Sequence, residues 1–143
     1  MFKLLPHEMV SVEDLPGLVK SKNFATNKVY GVIVTPKEYL SYSGEFQMEE
    51  FLVNPSKFQS HFHESVAPFA SVLVNGIYWD AKFPRLLTRD HIRTLAKENR
   101  LRLLSIADIS CDIGGSVEFM DFVSTIDNPY FLYDPLTDKK NHE

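Results

Sequence analysis

SIADISCDIGG, residues 105–115, begins as an apolar strand and then, within a few residues, sets an aspartate, a cysteine, a second aspartate and two glycines in succession. Similar apolar, partly β-branched runs occur at residues 2–5, 29–34, 70–74 and 130–133, and the strand just quoted belongs to a run over 103–107. Helix-like or loop segments separate them. Strands alternating with helices predict βαβ units around a parallel sheet. Ligands of such sheets bind outside the carboxyl ends of the strands, so the residues that end each run are the candidate site: Thr35-Pro36, Asn75-Gly76 and the cluster from Asp108 to Asp112.

Each candidate has two readings. Asn75 can read a hydroxyl through its side-chain amide and Gly76 lets a ligand approach the backbone, but the pair also suits an ordinary turn. An ionised carboxylate at the end of a buried strand needs partners. Asp108 is therefore either a cap on the following turn or a group offered to a ligand. Residues 112–116, DIGGS, form a flexible, amide-rich loop able to approach an anionic or polar ligand, although DxGGS is no phosphate-binding fingerprint.

Composition narrows the classes. At 143 residues, 44% hydrophobic and 13% aromatic, the chain has the length of one domain with a sizeable core. A formal net charge of -4 argues against an electrostatic grip on nucleic acid or an anionic membrane. The single cysteine, Cys111, excludes an intrachain disulfide and a cysteine-based zinc cage, and suggests a reducing compartment. No apolar run approaches the roughly 20 residues of a membrane span, and no targeting segment is evident, so a soluble chain is expected.

The firmest helix signal is Thr88, which can cap RDHIRTLAKENR, with Asp90 in the first turn and Lys97 and Arg100 near the end. Ser11 can cap a short helix, in which Pro16 must sit in the first turn or kink it. Asn54-Pro55 is an N-cap and first-turn pair, and Phe58, Phe62, Val66 and Phe69 follow at helical spacing, which predicts a helix there. Residues 39–53 read as an insertion-like loop over the sheet's edge. His61 and His63 have no further ligand at metal spacing and are expected on a solvated helix surface. Asp112 beside Cys111 raises rather than lowers a thiol pKa, which argues against a nucleophile. No nucleophile elbow, Walker loop or GxGxxG occurs.

LVNGIYWDAKFPRLLTRD (73–90), SIADISCDIGGSVEFM (105–120) and STIDNPYFLYD (124–134), with VYGVIV and ESVAPFASVLVNGIYW in the same order, resemble the lysine-ketoglutarate reductase portion of the alpha-aminoadipic semialdehyde synthases. These are the bifunctional lysine-ketoglutarate reductase/saccharopine dehydrogenases of animals and plants. The resemblance implies a Rossmann-type dinucleotide domain with a parallel sheet and flanking helices. The implied enzyme condenses L-lysine with 2-oxoglutarate and reduces the imine with NADPH to saccharopine; the cofactor carries the hydride chemistry and the protein supplies orientation and water exclusion. By position, Asn75, Gly76 and Ile77 would line the cofactor cleft. Asp108, Ile109 and Ser110 would lie near the nicotinamide half, with Asp108 and Asp112 toward the substrate. No metal is implied, and the mitochondrial matrix is the implied location.

Two departures from the family pattern carry expectations. The glycine-rich βα unit would precede Met1, so 1–143 reads as a partial domain, an excised fragment inactive alone. Where a Rossmann domain often offers an acidic residue to the adenosine ribose, Leu5, Pro6 and His7 stand, with Glu8 further on. The catalytic acid/base groups would belong to an N-terminal catalytic domain, which with the saccharopine dehydrogenase domain would be this chain's partner. The alternative is a non-catalytic α/β ligand-binding or interaction module that kept the scaffold without the phosphate loop.

Overall fold

A computed structural model describes residues 4–21 and 25–141. The architecture is mixed α/β. In chain order the elements are β1 (His7–Met9), α1 (Leu15–Ser21), β2 (Val29–Gly31), α2 (Pro36–Tyr39), β3 (Leu40–Ser41), α3 (Met48–Val53), a 3-10 turn (Pro55–Lys57), β4 (Gln59–Ser60) and α4 (Phe62–Ser65). They continue with β5 (Val72–Asn75), α5 (Arg89–Lys97), β6 (Ser105–Asp108), β7 (Leu132–Asp134) and β8 (Lys139–Asn141).

Among the described residues the strands form four separate two-stranded sheets, which corrects the expectation of one continuous parallel sheet. β1–β2 and β5–β6 are parallel, whereas β3–β4 and β7–β8 are antiparallel. All eight described strands are only two to four residues long, shorter than the usual length of roughly five or six, so each pair buries little surface against a neighbour. Of the run at 2–5, residues 2 and 3 lie outside the described residues, and Leu4 and Leu5 are exposed and outside any strand. The pairing strand begins later, at His7, and matches Val29 in parallel register.

The core gathers aromatic side chains from between the two parallel pairs. Tyr39 meets Phe62 edge-on at 6.2 Å between ring centroids, and Phe58 stacks on Tyr42 at 4.6 Å. Phe51 lies 5.2 Å from Phe58 and 5.1 Å from Phe83. The segment 39–53, expected as an insertion-like loop, thus contributes Tyr39, Leu40 and Phe51 to the core as well as two short elements.

The helix expected from Asn54 through Phe69 does not form as one element. The chain makes a 3-10 turn, becomes extended at Phe58, pairs Gln59 and Ser60 with β3, and only then enters the single turn of α4. Phe58, Phe62 and Val66 are nevertheless buried. Their spacing reported which side chains face the core, while pairing with Leu40 and Ser41 decided the backbone. α5 forms where the sequence places it: Thr88 caps it, its hydroxyl accepting from the His91 amide at 3.1 Å, and Ile92 and Leu95 enter the core. Ser11 and Asp14 bond reciprocally ahead of α1, in which Pro16 occupies the first turn.

Candidate functional site

β5 and β6 run parallel in a register that makes Asn75 and Asp108 the last matched pair, at the carboxyl ends of both strands. The two side chains are joined: the Asn75 amide nitrogen donates to Asp108 Oδ1 at 3.0 Å and to Ser116 Oγ at 2.9 Å. Asn75 and Ser116 are fully buried, 1% and 2% exposed. Buried polar side chains at this depth are tolerated only when they satisfy each other. Ser110 completes the coordination of Oδ1 through its amide at 3.1 Å and its hydroxyl at 2.6 Å. Asp108 therefore caps the turn that follows it. Its second oxygen, Oδ2, is buried and has no hydrogen-bond partner among the described residues.

Past Asp108 the chain turns sharply. Cys111 adopts a left-handed φ of 57° and is exposed, its thiol 3.6 Å from the Asp108 carbonyl oxygen. Gly114 also takes a left-handed φ, of 58°. Gly115 has no room for a side chain, since a Cβ there would stand 2.5 Å from the Cβ of Asp112. The amides of this loop are consumed internally: Gly114 donates to Met120 at 2.7 Å and Gly115 to Asp112 at 2.9 Å. The loop expected to offer amides to an anion does not hold those two free.

A cleft of about 660 Å³ opens on the β6 side, between the 109–113 turn and the 119–135 segment. Asp108, Ile109 and Asp112 line it beside Phe122, Tyr130 and Phe131. Among the described residues its only charged lining groups are the carboxylates of Asp108 and Asp112. Such a wall attracts cationic groups and flat apolar rings, and repels phosphates and carboxylates.

The sequence-predicted residues are thus divided. Asn75 stands behind Asp108 rather than in the cleft, Gly76 is exposed with open space where a Cβ would go, and Ile77 packs against the core. Ser110 holds Asp108, and Ile109 is 69% exposed at the cleft edge. Thr35 caps α2 with Glu38 in a capping box and does not join the Asn75–Asp108 network. Ser116, expected as the end of the flexible loop, is buried and bonded to Asn75. One contributor escaped the sequence reading: Arg85 donates to the carbonyls of Gly114 and Gly115 while lying 4.5 Å over the Trp79 ring. A lone arginine inside the apolar FPRLL run was the available signal.

The histidines also differ from expectation. His63 is half-buried rather than solvated and stacks on His91, with 3.7 Å between ring centroids and planes within 7°. Burial lowers the pKa of both, and each ring's neighbours among the basic groups add to it. No group of three or more His, Cys, Asp or Glu among the described residues is placed to hold a metal, and no described helix is long and apolar enough to cross a membrane.

No family model matches the chain. It is 39% identical over 147 residues to the alpha-aminoadipic semialdehyde synthase of Arabidopsis thaliana, a match covering 94% of this chain and 14% of that protein. Mitochondrial alpha-aminoadipic semialdehyde synthases of Bos taurus and Mus musculus are 34% and 33% identical over 149 residues, covering 94% of this chain and 16% of each. The chain spans about one-seventh of the length of these curated relatives.

Proposed function

We propose that this chain, a homologue of a segment of the alpha-aminoadipic semialdehyde synthases, supplies part of the cofactor and substrate cleft of a Rossmann-type reductase. That reductase would condense L-lysine with 2-oxoglutarate and reduce the imine with NADPH to saccharopine. The observation that carries the reading is the Asn75–Asp108 pair at the carboxyl ends of two parallel strands, beside a cleft whose only charged walls among the described residues are Asp108 and Asp112.

The chemistry agrees with the positive partners of such a reaction. A substrate ammonium, a protonated imine and an oxidised nicotinamide are all cations, and two carboxylates at an apolar wall stabilise a cation more than they do in water. The phosphates of the dinucleotide need a different cradle, because the amides of Gly114 and Gly115 are already bonded. Asp108 and Asp112 are assigned to the substrate and nicotinamide end, with Ile109 and Ser110 beside them. Asn75 positions Asp108, and Gly76 and Ile77 follow it on the cofactor side. Acid/base groups and the pyrophosphate cradle belong to other parts of the enzyme, so the chain alone is inactive. The mitochondrial matrix is proposed as its location, in keeping with the mitochondrial enzymes among its mammalian relatives.

The test has two arms. Calorimetric titration of the chain with NADPH and NADH should show weak binding at best. A chimera in which this chain replaces the matching segment of the Arabidopsis thaliana relative should retain lysine- and 2-oxoglutarate-dependent NADPH oxidation. A chimera that folds with an unchanged melting temperature but does not turn over would favour a non-catalytic ligand-binding or interaction module.

A further inference from the structure

We infer that Arg85 is a positioning residue: held against Trp79, it sets the conformation of the 112–116 loop and so the place of Asp112 at the cleft. Three consecutive carbonyls of the loop take donors from three consecutive residues of the 85–87 segment. Arg85 Nη1 donates to Gly114 and Gly115, and the amides of Leu86 and Leu87 donate to the Ser116 carbonyl at 2.8 and 3.1 Å. The Leu86 and Leu87 contacts are backbone and anchor one end of the loop whatever the side chains. The glycine carbonyls depend on the Arg85 side chain.

The geometry makes that dependence strong. Gly114 sits at a left-handed φ, and Gly115 presses on Asp112 with no space for a Cβ. The segment that carries Asp112 is therefore in a backbone state that local sequence alone does not favour over its alternatives. Both contacts come from Nη1, whose two N–H groups lie fixed in the plane of the guanidinium that also lies over the indole, whereas an ammonium is a compact charge with freely rotating donors. Arg85 forms no ion pair among the described residues, so its charge is directed at the two carbonyls and the indole face. The platform is itself tied, since the Trp79 indole N–H donates to the Phe83 carbonyl at 3.2 Å. The whole path from Trp79 to the loop is a contiguous set of directed contacts ending on Gly114, two residues from Asp112.

The role that Asp112 plays in turnover rests on the reductase reading above; the positioning of the loop does not. The first experiment uses the chain itself. Trp79 is its single tryptophan, so Arg85→Met should shift the fluorescence emission, and amide exchange at Gly114 and Gly115 should quicken about tenfold or more while the α5 amides keep their rates. Arg85→Lys should restore part of the protection, and Lys82→Met, an exposed cation of the same turn, should change nothing. In the chimera, Arg85→Met should lower kcat about tenfold or more with KM for NADPH held within about twofold. Unchanged exchange at the two glycines would overturn the inference, as would kcat falling only in step with melting temperature. If the wild-type chimera is inactive, the reductase reading fails and the exchange rates alone decide the role of Arg85.

Discussion

Oδ1 of Asp108 accepts from Asn75 and twice from Ser110, whereas Oδ2 is buried without a hydrogen-bond partner among the described residues. Replacing Asp108 with Asn keeps an oxygen for all three donors and removes an incompletely compensated charge, so the melting temperature should hold or rise slightly. In the chimera, turnover should fall about tenfold or more, on the order of 1.4 kcal/mol or above, if that charge faces a cationic reaction centre. Wild-type kinetics would leave Asp108 with its turn-capping role alone. At Gly115 the consequence is steric: alanine would bring a Cβ to 2.5 Å from Asp112 Cβ and 2.9 Å from its carbonyl oxygen. The loop must move, at a cost of about 1–3 kcal/mol in stability, and denaturant unfolding of Gly115→Ala checks it. The aspartates and glycines of this site were legible in the sequence because strand ends in α/β sheets are where polar residues have work to do. The orphaned Oδ2 and the buried Ser116 were not, because partner geometry is set by residues 33 and 41 positions away from Asn75.

Between elements, α4 and α5 meet through the stacked imidazoles of His63 and His91. The His91 Nδ1 accepts from the Thr88 amide at 3.3 Å, which requires a neutral ring at that nitrogen. Burial lowers both pKa values; His61 and Arg100 add to the effect at His63 and His63 adds to it at His91, against the opposing fields of Glu64, Asp90 and Glu118. In the unfolded chain both rings take up protons as pH falls below about 6.5, while the folded pair resists, so stability is level above that pH and declines beneath it. The melting temperature should therefore drop between pH 7 and pH 5, before carboxylates such as Glu50, bonded to Lys57, titrate. His63→Phe should flatten that decline; a variant with the wild-type slope would remove the pair as its cause. Helix α5 was legible because its cap, its charges and its apolar face are all local. The 54–69 helix was misread because the same apolar spacing serves any backbone that brings Phe58, Phe62 and Val66 to one side, and the pairing of β4 with β3 chose an extended one.

At the scale of the whole molecule, the parallel β5–β6 pair leaves one face uncovered, with Val72 and Val74 60% and 62% exposed. Parallel strands are ordinarily covered on both faces. The isolated chain should accordingly self-associate, and the double substitution Val72→Thr with Val74→Thr should reduce association while changing stability by no more than about 0.5 kcal/mol. Light scattering across a concentration series checks this; a monodisperse wild-type chain would show that the exposed valines are too few to drive contact. The amino-acid sequence by itself determined the α/β class, the capped helix α5, the apolar runs that overlap β2, β5, β6 and β7 and the cluster of polar residues at the ends of two of them, since hydrophobic period, caps and turn residues act over a few positions. It also carried the likeness to the alpha-aminoadipic semialdehyde synthases, because a likeness in sequence is read residue by residue whatever the backbone does. Only the tertiary structure decided the parallel register that sets Asn75 against Asp108, the stacking of two histidines 28 positions apart in the chain, the division of the strands into four small sheets and the hold of Arg85 on the glycine loop. Those features depend on which distant segments meet, and the free energy of such meetings comes from burial and bond geometry that no local pattern encodes.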